Sequence, residues 1–269
     1  MSDFPRYSAN CSMLFRELPL LERPAAAGRL GFEAVEFWWP FSDPVPRDGE
    51  VDDFIDAVEG AGVRLTGLNF FAGDLAGPDC GVLSIPQRSS EFLDNVDVTV
   101  GIGQRLGVPI FNALYGNRVD GVSPGAQDEL AAANLATAAA AAVKIGAKVV
   151  VEAVSGPKPY PLRRAADAVA VVRRLQEARV EGIGFLCDVY HLAANGDDPV
   201  KAIRVCADVI DHVQIADFPG RGEPGSGSLD IGECLSALAA NGYSGWIGVE
   251  YTPTTTTQDS LGWMSRPAF

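Results

Sequence analysis

Short apolar runs bounded by turn residues recur along this chain, and eight of them alternate with stretches of helical periodicity. A strand covered on both faces reads as a brief Val/Ile/Leu/Phe-rich run, without the alternation of a half-exposed strand. The pattern predicts strands over Tyr7–Leu14, Ala34–Trp39, Arg64–Phe71, Ile110–Leu114, Lys148–Ala153, Gly184–Asp188, Val209–Ile215 and Trp246–Tyr251. Helical stretches fall between them. The first spans Leu20–Leu30, with Pro24 suited to its opening turn and Gly31 beyond its end. Val51–Glu59 follows, and then a helix capped by Ser89 or Ser90 with apolar Phe92, Val96, Val100 and Leu106. The alanine-rich run Gln127–Ile145 has the highest helix propensity. Leu162–Ala178, Val200–Ala207, Ile231–Ala240 and a helical tail complete the series.

Eight strand–helix alternations without a compositional break predict one parallel sheet, for which a closed (β/α)8 TIM barrel is the natural solution. The expected architecture is therefore α/β, a single barrel domain over residues 1–269. An open doubly wound sheet would place a glycine-rich turn after an early strand. Gly101 and Gly103 instead lie inside a helical pattern.

In such barrels the active site forms at the C-terminal ends of the strands. There the last four runs deliver Glu152, Asp188, Gln214 and Glu250. Three carboxylates converging on one mouth repel unless one is protonated or a cation is shared. Oxygen donors without Cys favour a hard ion, Mg²⁺ or Mn²⁺, over zinc. Taken singly, each carboxylate could instead cap a helix or pair with an arginine. Recurrence on four consecutive strands favours the shared site. His191, three residues after Asp188, can hydrogen-bond a substrate oxygen or orient a carboxylate. Arg221, in a glycine-rich loop after Gln214, can reach a ligand or lie on the surface. His212 shares a face with Gln214 but sits deeper, which suits a structural role. A divalent ion between two glutamates fits proton transfer beside a carbonyl, with Glu152 and Glu250 serving neighbouring carbons. That is aldose–ketose isomerisation, or epimerisation if the proton returns to the opposite face.

Composition narrows the partners. A net charge of −14 argues against nucleic acid. Five scattered cysteines without a CxxC pair suggest neither a zinc ribbon nor a disulfide framework. Reduced thiols, an N-terminus without a signal-peptide pattern and the lack of a 20-residue apolar run point to a cytoplasmic protein without a membrane span. Trp38, Trp39 and Phe41 can roof the pocket or meet a second subunit, so a homo-oligomer stays open.

Several segments resemble the hydroxypyruvate isomerase family. They are Ser8-Ala9-Asn10 with Ser12–Phe15, Val35-Glu36-Phe37, Ala72-Gly73-Asp74, Glu152, Cys187–His191, Gln214–Asp217, Arg221–Gly225 and Gly245–Tyr251. The resemblance runs nearly end to end and implies the xylose isomerase-like barrel fold. It implies Glu152, Asp188, Gln214 and Glu250 as metal ligands and Glu152 and Glu250 as the proton-transfer pair. His191 and Arg221 would hold substrate oxygens. The implied reaction interconverts hydroxypyruvate and tartronate semialdehyde. Isomerases of 2-oxo-tetronate belong to the same family, and Gln214 stands where related ketose 3-epimerases place histidine. Ser228-Leu229 and Asn69-Phe70-Phe71 depart from the family pattern and are expected at the pocket rim, where they bear on substrate choice. Two remoter readings are a DNA-repair nuclease, which would need more histidines and a basic groove, and a non-catalytic barrel.

Overall fold

The computed structural model describes residues 5–75, 77–156 and 159–265. Eight parallel strands close on themselves in sequence order: β1 Arg6–Asn10, β2 Ala34–Phe37, β3 Arg64–Asn69, β4 Ile110–Asn112, β5 Lys148–Glu152, β6 Ile183–Asp188, β7 Ile210–Ile215 and β8 Trp246–Val249. Closure comes from β1 pairing with β8, Tyr7 opposite Ile247 and Ala9 opposite Val249. The helices α1 Arg23–Arg29, α2 Asp48–Ala61, α3 Ser89–Leu106, α4 Pro124–Val143, α5 Ala165–Glu177, α6 Val189–Ala194, α7 Pro199–Val205, α8 Ile231–Ala240 and α9 Thr257–Ser260 lie between and after them.

The main core lies between the strands and the helix ring, where Val35, Phe37, Val149, Val151, Phe185, Val213 and Val249 meet helix residues such as Phe54, Leu135, Val172 and Leu235. Burying a side chain of this size contributes roughly 1.5–3 kcal/mol. In α4 the inward side chains are mostly alanine (Ala131, Ala138, Ala139, Ala142), so the helix needs little width to seat on the sheet. Inside the barrel a separate apolar layer of Ile110, Val150 and Leu186 closes the lower part. On the opposite wall the interior is polar: Ser8 and Thr66 share a hydroxyl hydrogen bond of 2.6 Å, and Glu36, His212 and Gln214 lie above them.

Several boundaries differ from expectation, each for a local reason. β1 stops at Asn10 because its carbonyl and side chain turn the chain, accepting from the backbone of Met13, Leu14 and Ser12. Neither serine caps α3; Arg88 occupies the cap position and pairs instead with Glu91 at 2.7 Å. The short α6 escaped the periodicity because six residues carry too little pattern, and Asp188 nucleates it by accepting from His191 N–H. Trp39 and Phe41 continue an edge-to-face ladder through Phe54 to Phe37, which ties them to barrel packing. All five cysteines are buried. No helix among the described residues is long and apolar enough to cross a membrane.

Candidate active site

Every strand brings a polar side chain to the same end of the barrel. Asn10, Asn69, Asn112, Glu152 and Asp188 are the last residues of their strands. Glu36 and Gln214 are next to last, and Glu250 lies one residue past β8. All eight are buried. Sequence reading followed this rule only through β5 to β8; Asn10, Glu36 and Asn112 end apolar runs in the same way and carry much of the site's hydrogen bonding.

Above them opens a cleft of about 250 Å³ lined by Trp38, Asn69, Glu152, His191, Arg221 and Glu250, with Leu75, Leu114, Val154 and Tyr160 among its apolar walls. Trp38 therefore lines the pocket. Of the two segments that depart from the family pattern, Asn69 lines the cleft, whereas Phe70, Phe71, Ser228 and Leu229 do not. The backbone N–H groups of Ser228 and Leu229 bond Phe218 O and Asp217 Oδ1, so their role is in folding the loop.

Glu152 and Asp188 lie side by side, and with His191 they offer donor atoms within 4.8 Å of one another. Asn112 Nδ2 donates to Glu152 Oε1 at 2.6 Å and fixes that carboxyl. Burial, reinforced by the charge of Asp188, pushes Glu152 up to about 8. Glu250 is likewise held well above the ordinary carboxylate range, by burial first, with Arg221 opposing and Asp188 and Glu152 adding. Its Oε1 accepts from Arg221 Nη2 at 2.5 Å, and its Oε2 from Asn10 Nδ2 at 2.7 Å and Gln214 Nε2 at 2.6 Å.

Arg221 is the one basic side chain among the described residues of the lining. Its guanidinium also stands 4.0 Å from Asp188 and over the Tyr190 ring. The loop that carries it is built by Asp217, whose carboxylate accepts the N–H groups of Phe218, Gly225 and Leu229. Thr252 N–H bonds Arg221 O and ties the loop to the chain after β8. Arg221 itself takes φ +57°, an unfavourable conformation that persists only where its surroundings impose it. Asp217 was legible only as part of a motif.

His191 can be assigned a tautomer from its neighbours. Ser155 N–H donates to Nδ1 at 3.0 Å, so Nδ1 carries the lone pair and the neutral ring holds its proton on Nε2. Burial lowers the pKa of His191 to about 4, against the pull of Asp188, which keeps the ring neutral. Nε2 is then a donor facing the cleft, and its 3.3 Å approach to Arg221 Nη2 is a packing contact between two donors. A ring with both nitrogens so committed suits a substrate oxygen better than a cation. His212 lies below, with Nε2 2.7 Å from Glu36 Oε2.

Donor chemistry fits a hard divalent cation. The four candidates are three carboxylates and an amide, and Gln214 Oε1 is buried without a hydrogen-bond partner. An orphaned amide oxygen beside carboxylates is an arrangement that a hard cation satisfies.

Residues 24–266 match the family described as xylose isomerase-like TIM barrel. A Streptomyces coelicolor protein named "Putative hydroxypyruvate isomerase" is 52% identical over 98% of this chain and 96% of its own length. The Escherichia coli hydroxypyruvate isomerase is 30% identical, covering 96% of this chain and 98% of that protein. A 2-oxo-tetronate isomerase of Cupriavidus necator is 31% identical over 97% of each. Among solved structures, one from Brucella melitensis titled as a family 2 AP endonuclease superposes with TM-score 0.87 at 30% identity, over 97% of this chain and 98% of that one.

Proposed function

The chain belongs to the hydroxypyruvate isomerase family of xylose isomerase-like TIM barrels and is an isomerase, and within that family we propose that it interconverts hydroxypyruvate and tartronate semialdehyde. The observation that carries the reading is the pairing of two buried glutamates with one arginine and one neutral histidine in a single small cleft. Isomerisation requires a proton to leave C3 of hydroxypyruvate and another to reach C2, while the hydroxyl proton passes from the C3 oxygen to the C2 oxygen. Two carboxyl groups whose proton affinity is raised by burial supply one base and one acid. Glu152, steadied by Asn112, and Glu250, steadied by Asn10, Gln214 and Arg221, take these two roles, and the return reaction exchanges them.

Arg221 suits the substrate carboxylate, since its planar donors match a carboxylate and the rest of the described lining offers no other cation. His191 Nε2–H donates to a substrate oxygen near Asp188. Glu152, Asp188, Gln214 and Glu250 would hold a Mg²⁺ or Mn²⁺ ion. Bound there, the ion would polarise the carbonyl and stabilise the charge that develops as the C–H bond breaks. Burial of the apolar walls keeps bulk water from protonating the reacting carbon. The chain acts as one barrel domain, and its buried cysteines accord with a reducing cytoplasm.

A 2-oxo-tetronate, one carbon longer, is the second reading, favoured by the 31% identical relative and by a cleft of about 250 Å³, roomy for a three-carbon acid. Turnover of hydroxypyruvate by EDTA-stripped chain, before and after Mg²⁺ or Mn²⁺ is restored, tests the proposal. Loss and recovery support the reaction and the cation together. Turnover indifferent to stripping removes the cation from the chemistry. No turnover in either state transfers the assignment to 2-oxo-tetronate.

A further inference from the structure

Glu36 lies below the cleft floor, out of reach of a substrate, yet it is bonded to the site from two other strands. Its Oε1 accepts from Asn10 Nδ2 at 3.0 Å and from Gln214 Nε2 at 2.7 Å. The same two amide nitrogens donate to Glu250 Oε2. Each –NH2 group thus spends one hydrogen on Glu36 and one on Glu250, and the four groups form a closed square. The other oxygen of Glu36 meets His212 Nε2 at 2.7 Å. The barrel makes room for this carboxylate by omitting side chains. Gly67 and Gly248 flank it, and a methyl group on Gly248 would overlap Glu36 Oε1.

The square decides which way two amides point. The Glu36 and Glu250 oxygens at the corners of the square both accept, so nitrogen faces inward at both Asn10 and Gln214. Their oxygens are turned outward: Asn10 Oδ1 accepts Ser12 N–H, and Gln214 Oε1 is left buried without a partner. An amide free to rotate would present oxygen and nitrogen with similar ease, and a nitrogen cannot serve a cation.

We propose that Glu36 is a positioning residue: by bonding the Asn10 and Gln214 amides it presents the Gln214 oxygen as a cation ligand and holds Glu250 in register. The proposal rests on the reading of Gln214 as a ligand given above. It predicts a dependence on the acceptor oxygen rather than on the charge. Glu36→Gln can keep an oxygen toward the two amides and donate its own nitrogen to His212 Nε2 once the neutral ring moves its proton to Nδ1, whereas Glu36→Met fills the space and offers no acceptor.

The test is Mn²⁺ uptake by the metal-stripped full chain, followed by the electron paramagnetic resonance signal of free Mn²⁺, with thermal melts alongside. Glu36→Met is expected to weaken Mn²⁺ binding about 10- to 100-fold, the range for groups that orient a ligand, while Glu36→Gln stays within about threefold of the unaltered chain. A generic packing defect would alter the melts without separating the two variants in Mn²⁺ affinity. Should Glu36→Met fail to fold, Gly248→Ala displaces the Glu36 carboxyl group without removing it and must also weaken binding. Unaltered affinity in a folded Glu36→Met, or in Gly248→Ala, overturns the proposal alone. An unaltered chain that takes up no Mn²⁺ overturns the ligand reading beneath it, and the proposal with it.

Discussion

Replacing Glu152 with Gln should abolish turnover and, without metal, make the protein more stable. The substitution keeps shape and volume, and the Gln oxygen still accepts from Asn112 Nδ2. What it removes is an ionisable group whose pKa rises from an ordinary 4.5 to about 8 on folding, chiefly through burial and next through Asp188. A raised folded pKa means that the native state binds this proton more tightly than the unfolded chain does. The stabilisation it brings is complete below pH 4.5 and is lost as pH climbs toward 8. Between 4.5 and 7 that loss is about 3 kcal/mol, approaching about 5 kcal/mol above pH 8 at 1.36 kcal/mol per pH unit. Glutamine does not titrate and escapes the loss. With an unfolding entropy of roughly 0.6 kcal/mol/K for a chain of this size, 3 kcal/mol raises Tm by about 5 °C. The assay is calorimetric melting of EDTA-treated protein from pH 5 to 8, paired with turnover, which should fall about 10²- to 10⁴-fold for loss of a proton-transfer group. A variant that melts no higher than the parent, with a difference that does not widen toward pH 8, would refute the claim that folding raises the proton affinity of Glu152.

Other tests address the remaining groups. Glu250→Gln should lose turnover by a similar factor of about 10²–10⁴ while the fold persists, and full activity would end the two-glutamate mechanism. Asp217→Asn turns an amide donor toward at least one of three backbone N–H groups. The Arg221 loop should loosen, and kcat/KM should fall about 10- to 100-fold with little change in Tm, as expected when a substrate-holding group is misplaced. The chain has two histidines, so ¹⁵N imidazole spectra of untagged protein contain two ring systems. One ring, His191, should report the Nε2–H tautomer and stay neutral to near pH 4; an Nδ1–H ring would refute the assignment from Ser155.

The hydrophobic pattern determined the barrel because a parallel strand must be apolar on both faces, a local property that survives in one dimension. It also marked Glu152, Asp188, Gln214 and Glu250, because a polar group ending such a run can lie only at the strand mouth. Tertiary structure decided what the residues between those positions do. Asn10 bonds Glu250 from 240 positions away along the chain, and Glu36 is tied to the same carboxyl through the Asn10 and Gln214 amides, a proximity that only closure of β1 onto β8 creates. Gly248 reads in sequence as a weak spot in a strand, but in the folded barrel it is the space that a buried carboxylate occupies. The tautomer of His191 follows from a single N–H of Ser155, which no spacing places there. Strand and helix patterns are written by burial alone and are legible early. Hydrogen-bond direction and proton affinity depend on which groups closure brings within 3 Å of each other, and the sequence does not carry that distance.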